Sequence, residues 1–272
     1  MAKTWFITGT SKGFGRIFAE AALDRGDVVA ATARDLASLD DLVATHGDAI
    51  FPLELDVTDR DKVFAAVNAA HDKFGRLDVV INNAGYGLFG MVEEITDDQL
   101  RDQLDTNLFG AFHVTQAVVP LMRDQGSGHI IQISTIGGLV AFPGLGGYHA
   151  SKWALEGMTE ALAQEVAGFG IRVTLVEPGG FATDWSGASG TFATPNPDYD
   201  AFRAAVAESR QGMVAPEPVG FGPAILELVD ADLAPLRVFF GELPTQVVPF
   251  VYQQRLDTWA EWTPLALKAE AK

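Results

Sequence analysis

Thr8-Gly9-Thr10-Ser11-Lys12-Gly13-Phe14-Gly15 follows directly on the apolar run Trp5–Ile7, and a helical stretch continues to Gly26. Read together, these residues are a strand, a glycine-rich turn and a helix. Glycines there permit a tight turn, let the backbone approach a pyrophosphate and bring the helix close to the strand. The helix N-terminus then presents unpaired N–H groups and the positive end of its dipole to an anion. The spacing is G-x-x-x-G-x-G, not G-x-G-x-x-G, so its place in the first strand–helix unit carries the reading. Gly9-Thr10-Ser11-Lys12-Gly13 also fits G-x-S-x-G, a hydrolase nucleophile turn. That turn should follow several earlier strands, and here it follows the first. His71, His113, His129 and His149 show no context that would mark one as its partner.

Further runs of the same kind recur at Val28–Thr32, Val79–Ile81, Ile130–Ile133, Val173–Val176 and Val238–Phe240. They are continuously apolar, as strands buried on both faces are. Between two of them Leu100, Leu104, Leu108, Phe112, Thr115, Val119 and Met122 form one stripe of a helix. Asp97 stands at its expected N-cap and Gly126 after its last turn; Gly110 allows close packing and Pro120 marks a kink or late boundary. Strand and helix in alternation predict an α/β fold, a single-domain doubly wound parallel sheet of Rossmann type with helices on both faces. Residues 1–272 read as one domain, with a substrate lid at about 183–218, rich in Gly and Pro, and an extended C-terminal segment at about 241–272.

The 272 residues carry 19 Lys and Arg against 36 Asp and Glu, a net charge of −17, with no cysteine. So acidic a chain argues against a nucleic-acid partner. Residues 35–61 hold eight acidic residues and one Arg, and 93–105 hold six and one, which read as solvated faces. Zero cysteine excludes disulfides and thiolate metal sites. With five scattered histidines it leaves no metal centre and sets aside zinc-dependent alcohol dehydrogenases. No apolar stretch is long enough for a membrane span, and no signal peptide is visible, so a soluble cytoplasmic protein is expected.

A cofactor's 2′-hydroxyl is gripped by an acid at the end of the second strand, about 20 residues on. That strand ends Ala31-Thr32-Ala33-Arg34, with Ala33 at the acid's place. Arg34 can instead face a 2′-phosphate, with Lys12 adding a second charge from the turn. NADP(H) is therefore the expected cofactor.

Tyr148 and Lys152 are four residues apart on a predicted helix and share a face. Ser134 closes the strand Ile130–Ile133 at its carboxyl end, where open α/β sheets bind ligands. A nearby ammonium and an oxidised nicotinamide would lower the phenol's ordinary value near 10. Ser134 would hold the substrate oxygen beside the Tyr148 hydroxyl. The expected chemistry is hydride transfer to a carbonyl carbon, with Tyr148 giving the proton. His149 points about 100° away on the helix and is not expected to be catalytic.

With these residues in place, the sequence resembles the short-chain dehydrogenase/reductase family over about residues 4–185. Thr8-Gly9-x-x-x-Gly13-x-Gly15 is similar to its cofactor turn. Asn82-Asn83-Ala84-Gly85 resembles the segment after its fourth strand, which supports the sheet and the adenosine ribose, and Asp56-Val57 its adenine contact. The resemblance implies that Asn107, in Thr106-Asn107-Leu108-Phe109-Gly110, holds a water in a proton relay. It implies catalytic places for Ser134, Tyr148 and Lys152. Pro178-Gly179-x-x-x-Thr183 resembles the stretch around the nicotinamide, with Thr183 suited to its carboxamide. Lys12 and Arg34 fit the NADP-preferring pattern of carbonyl reductases.

The end of the chain departs from many members. Val238-Phe239-Phe240-Gly241-Glu242 is followed by some thirty residues that include Pro249, Tyr252, Trp259, Trp262 and Pro264. That tail resembles the retinol- and steroid-reductase branch and puts the usual tetramer in doubt, leaving homodimer and homotetramer both open. Tyr86, Leu88, Phe89, Leu139, Phe142, Leu145, Phe181, Trp185 and Phe192 are expected at the mouth, a wall suited to a lipophilic or aromatic ketone, aldehyde or secondary alcohol. An equally open reading is that several only pack the lid onto the body. The expected function is an NADPH-dependent carbonyl reductase, reversible as an alcohol dehydrogenase. The alternatives are a steroid- or retinol-specific dehydrogenase, an epimerase or dehydratase, and a catalytically silent dinucleotide sensor. The intact Asn107, Ser134, Tyr148 and Lys152 set argues against the sensor, which needs no proton relay. Sequential epimerases usually hold cofactor through a larger C-terminal domain, which is not expected here.

Overall fold

Trp5, Phe6 and Ile7 are fully enclosed because β1 (Thr4–Ile7) lies inside a parallel sheet covered on both faces. The computed structural model describes residues 2–270 apart from Ala188, Arg210 and Met213. The strands are β1, β2 (Val28–Ala33), β3 (Ile50–Glu54), β4 (Val79–Asn82), β5 (Leu88–Phe89), β6 (Gly128–Ile133), β7 (Ile171–Pro178), β8 (Thr191–Phe192) and β9 (Arg237–Phe240). The helices are α1 (Gly13–Asp24), α2 (Asp40–His46), α3 (Arg60–Phe74), α4 (Asp97–Leu104), α5 (Gly110–Gln125), α6 (Gly146–Val166), α7 (Asp200–Ser209), α8 (Phe221–Asp230) and α9 (Glu242–Glu270).

Seven strands form one sheet in the order β3-β2-β1-β4-β6-β7-β9, every described pair parallel. This is the doubly wound sheet that the alternation of runs implied. The chain winds outward from β1 to β3, then returns to β4 and winds the other way. The switch between β1 and β4 opens a crevice at their carboxyl ends. Side chains of β1 alternate between two cores. Trp5 and Ile7 pack with Phe18 of α1 and Ile225 of α8, whereas Phe6 packs with Val67 of α3, Val114 of α5 and Leu162 of α6. Each such side chain contributes roughly 1.5–3 kcal/mol on burial.

All six apolar runs are strands. β3 falls outside them because Pro52 interrupts its run, and Pro is tolerated there because β3 is the sheet's edge. The helix expected from Asp97 begins one residue earlier. Thr96 caps it, its hydroxyl accepting from Gln99 N at 3.2 Å while Thr96 N donates to the Gln99 side-chain oxygen at 3.0 Å. Between α4 and α5 a π-turn occupies Asp105–Phe109, so the inward face before Gly110 is Gln103 and Asn107, not the leucine stripe. Pro120 sits within α5 without ending it, and Gly126 closes it in the left-handed conformation.

The segment after β7 holds more structure than an irregular loop. β8 pairs in parallel with β5, and α7 follows. Glu94 fastens it: its carboxylate accepts from Met91 N, Asn196 N and Arg203 Nη1 at 2.8, 2.7 and 2.6 Å. α9 is 29 residues long and docks by Val248 on Ile136, Leu139 and Val140. Beyond Arg255 its described residues are exposed. Among the described residues no helix is long and apolar enough to cross a membrane, and no cluster of side chains could hold a metal ion.

Candidate active site

The glycine turn after β1 is built by backbone contact. Gly9 and Gly13 have φ of +71° and +63°, and a Cβ on Gly15 would overlap Gly9 O and Asn83 Nδ2. Asn83 ties the turns after β1 and β4 together. Its amide donates to Thr8 O and Gly9 O at 2.9 and 3.0 Å, while Asn83 N and Ala84 N donate to Thr8 Oγ1 at 2.9 and 3.0 Å. Lys12 is the N-cap of α1 and its side chain makes no cap bond, so the first-turn N–H groups of α1 have no side-chain acceptor there. Ser11 is exposed beside them. These residues fit a dinucleotide pyrophosphate on charge and on backbone clearance. Phe14 points its ring inward, stacked on Phe221 at 4.3 Å, so only its backbone borders the turn.

Arg34 is exposed at the end of β2, where its charge acts on the Asp56 carboxyl. Asp56 accepts from Thr58 N and Oγ1 at 3.0 and 2.8 Å. Val57 packs against Gly110, where a Cβ would come within 2.6 Å of it. Lys12 does not stand free for a phosphate: it is ion-paired with Asp184, beyond β7. That contact spans the crevice between the glycine turn and the segment after β7.

The π-turn aims Asn107 inward, toward the strand ends. Its Nδ2 donates to Tyr86 O at 3.0 Å and Ser151 Oγ at 3.1 Å, and its Oδ1 accepts from Tyr86 N at 3.1 Å. Gly85 leaves room for this approach, since a Cβ there would lie 2.9 Å from Asn107 Oδ1 and 3.7 Å from Lys152 Nζ. Lys152 is buried, and its ammonium donates to Ile133 O at 2.8 Å. Burial lowers it to about 8, with the Glu156 carboxylate opposing the shift.

Tyr148 is buried, with the hydroxyl of Thr135 beside its phenol. Burial raises its phenol well above the ordinary value, and the Thr135 contact only partly offsets this. The expected lowering by Lys152 is therefore corrected for the protein alone: the ammonium is directed to a main-chain carbonyl, and the phenol stays protonated at neutral pH.

Ser134 requires the main correction among the site residues. Its hydroxyl is buried against Gly138, whose Cβ would lie 2.6 Å away, and is turned toward the Glu156 carboxyl, away from the mouth. Strand parity explains this. Ser134 shares a face with Gln132, which reaches Thr115 of α5, so the next residue turns to the opposite side. Thr135 is that residue. Its hydroxyl donates to Pro178 O at 3.4 Å and accepts from Gly137 N at 3.2 Å, which fixes it at the mouth. Two adjacent hydroxyls give no sequence signal for choosing between them until the phase of the strand end is known.

His149 is structural, as expected. Its Nε2 accepts from Phe142 N at 2.9 Å and its Nδ1 lies 2.8 Å from Gly137 O, while burial lowers its proton affinity. Gly179 N donates to Phe240 O at 3.0 Å, which leads the chain after Pro178 past β9. Thr183 Oγ1 accepts from Trp185 N at 3.4 Å. Of the expected wall, Trp185, Phe89 and Phe192 form a continuous aromatic row. Trp185 is 4.9 Å from Tyr148 and 4.9 Å from Phe89, which stacks on Phe192 at 4.9 Å. Leu145 bridges to Gly90 beside the row, and Tyr86 holds Asn107. Leu88, Leu139, Phe142 and Phe181 belong elsewhere. Leu88 is fully buried, Leu139 and Phe142 pack under α9, and Phe181 packs against Phe14 and Phe221.

Residues 3–192 match the family model described as short chain dehydrogenase. The chain belongs to this family. It is 46% identical over 245 residues to the oxidoreductase BOA17 of Botryotinia fuckeliana, covering 89% of each chain. Over 244 residues it is 38% identical to a 3-ketodihydrosphingosine reductase of Bacteroides thetaiotaomicron, covering 87% of each. A short-chain dehydrogenase from Streptomyces avermitilis superposes with a TM-score of 0.92 at 37% identity, over 98% of this chain and 99% of that one. Two more distant members carry cofactor. One from Burkholderia phymatum holds NAD (TM-score 0.74, 25% identity, 88% of each chain), and one from Burkholderia cenocepacia holds NADP (TM-score 0.76, 26% identity, 96% and 97%). As a family member the protein is an oxidoreductase acting on CH–OH or C=O groups of small molecules.

Proposed function

We propose that the protein is an NADPH-dependent carbonyl reductase, reversible as an alcohol dehydrogenase, acting in the cytoplasm on a lipophilic or aromatic ketone, aldehyde or secondary alcohol. The observation that carries this reading is a buried phenol flanked by one hydroxyl and one indole: Tyr148 between Thr135 and Trp185. A proton donor with an ordinary surface environment would not need such enclosure.

When bound, the nicotinamide cofactor supplies hydride to the carbonyl carbon or accepts it from the alcohol. Tyr148 gives its proton to the carbonyl oxygen, and the Thr135 hydroxyl holds that oxygen in line. Lys152, one helical turn from Tyr148 on α6, stabilises the phenolate left behind, its charge shielded from water. Asn107 keeps the π-turn and Ser151 fixed behind Lys152. Gly9, Ser11, Lys12, Gly13, Phe14 and Gly15 border the pyrophosphate through their backbone. Asn83, Ala84 and Gly85 support the ribose, Asp56 and Val57 the adenine, and Pro178, Gly179 and Thr183 the nicotinamide. Arg34 meets the 2′-phosphate as a planar fork, and Lys12 exchanges Asp184 for that phosphate. Segment 183–218 acts as the lid, its aromatic row making a wall for an apolar substrate. The similarity to a 3-ketodihydrosphingosine reductase, whose name denotes a long-chain ketone, supports the same substrate class.

The test is NADPH oxidation over aryl ketones, steroids, retinoids and short aldehydes. Turnover is expected with an apolar ketone, and Tyr148→Phe should lower it about a thousandfold while NADPH binding persists. Wild-type-like turnover in that variant would sink the role given to Tyr148. Arg34→Asp should raise KM for NADPH about tenfold more than for NADH; an unchanged ratio would place the 2′-phosphate elsewhere.

A further inference from the structure

Glu156 and Glu177 are enclosed together behind Lys152, and the mechanism above uses neither. Glu156 stands one helical turn after Lys152 on α6, and Glu177 is the last residue but one of β7. Both are buried, Glu177 completely. Arg237 of β9 reaches both, its Nε 3.1 Å from Glu156 Oε2 and 3.4 Å from Glu177 Oε1. Its Nη2 donates to the exposed Glu160 at 2.9 Å. Donors are then scarce: only the Ser134 hydroxyl faces the Glu156 carboxyl from the other side, and both Glu177 oxygens have no hydrogen-bond donor among the described residues. Two facing carboxyls cut off from water ionise together only at high cost, and one shared proton supplies the missing donor.

We propose that Glu156 and Glu177 form a one-proton acid pair beneath Lys152, and that loss of this proton keeps Lys152 charged as pH rises. Its bearing on turnover rests on the reductase reading, whereas the pair itself does not. With the proton in place the pair carries one negative charge, balanced by Arg237. Without it a second negative charge appears one helical turn from the ammonium, which that charge stabilises. The two titrations fall in one range. Burial lowers Lys152 to about 8, and burial with the Glu156 charge raises Glu177 to about 8, Arg237 opposing. Glu156 is raised by burial as well, and the Lys152 charge opposes that shift.

The remaining groups around the pair do not replace this control. Ser134, at the end of β6, contributes only a hydroxyl, and Glu160 is exposed and held by Arg237. From α9 comes Tyr252, beneath the guanidinium of Arg255, which donates to Leu139 O at 2.9 Å. Between α9 and the sheet a pocket of about 380 Å³ borders Glu177, Arg237 and Glu160, with Phe239 and Val248 as apolar walls. Glu156 and Glu177 are thus positioning residues that act through Lys152.

The decisive measurement is infrared titration of the protein without cofactor. Wild type should show a protonated-carboxyl C=O band at neutral pH that disappears near pH 8. The band should be lost in Glu177→Gln and retained in Glu177→Asp. Lys152→Met should move its disappearance upward by about one pH unit, because the pair then loses the cation that favours its charged form. No band in wild type overturns the pair, and a band indifferent to Lys152→Met overturns the coupling. In turnover, Glu177→Gln should move the alkaline limb of kcat down by about one pH unit, with activity at lower pH kept. Glu160→Gln should leave that limb in place. A Glu177→Gln profile that superposes on wild type overturns the coupling too. Absence of turnover in wild type would count against the reductase reading alone, since the infrared titration decides the pair without it.

Discussion

The turn after β1 and the segment after β7 flank the same crevice at the carboxyl ends of one sheet, yet they are held by different forces. The first is a matter of backbone against backbone: Gly9 and Gly15 nearly touch, and the Asn83 amide bonds to the main-chain carbonyls of Thr8 and Gly9. The second is held by side chains, through the Glu94–Arg203 pair, the Lys12–Asp184 pair and the row from Trp185 to Phe192. Backbone contacts of the first kind have no charge to screen and no room to relax. Ion pairs and ring stacks can open, close and respond to solvent. The arrangement suits a fixed cradle for a large common ligand and an adjustable cover for a smaller, variable one.

The strongest way to break this contrast is to add one methyl group to the rigid side. Gly15→Ala places a Cβ on Gly9 O and the Asn83 amide, so the turn must shift. Stability should fall by about 2–3 kcal/mol in a denaturant melt, and dinucleotide affinity should fall at least about tenfold by calorimetry. A variant that binds cofactor normally would show the cradle to be as adaptable as the cover.

Between the two regions stands the pair of hydroxyls at the end of β6. Thr135→Val should lower kcat/KM by about 10- to 100-fold, whereas Ser134→Ala should stay within about twofold. The reverse order would return the substrate oxygen to Ser134 and overrule the strand parity.

The smallest effect is expected on the adjustable side. Three donors hold the Glu94 carboxyl at about 2, far below the usual carboxylate range. A depressed value means that the clamp is whole above that usual range and is lost as pH falls through about 2. Limited proteolysis near Asn196–Arg203 should therefore be flat with pH between about 5 and 9 in wild type, apart from the protease's own profile. In Glu94→Gln it should run about threefold faster throughout that range. Equal cleavage of the two proteins would mean that the strand pairing of β8 with β5 holds the segment without the clamp.

Most of the fold was legible in the chain because parallel strands buried on both faces must be apolar throughout. β3 escaped because an edge strand tolerates Pro52, which breaks the run that marks the others. The helix around Asn107 was misphased because a π-turn adds a residue to the repeat, and the face it turns inward is polar. Tyr148 and Lys152 were readable because four residues on a helix leave one arrangement only. Phe181, Leu139 and Phe142 were misplaced because an aromatic or aliphatic residue near a mouth packs equally well against a neighbouring core.

Six of the seven strands of the sheet, the glycine turn, the Tyr148–Lys152 face and the charge of Arg34 at the end of β2 could be read from the order of residues. Each follows from local rules of periodicity, steric allowance at glycine and spacing along one element. Tertiary structure alone decided that Thr135 and not Ser134 faces Tyr148, that Lys12 reaches Asp184, and that Glu156, Glu177 and Arg237 meet behind Lys152. Those contacts join residues from different strands and helices. Their chemistry depends on burial and on the direction of each side chain, which only the packed chain sets.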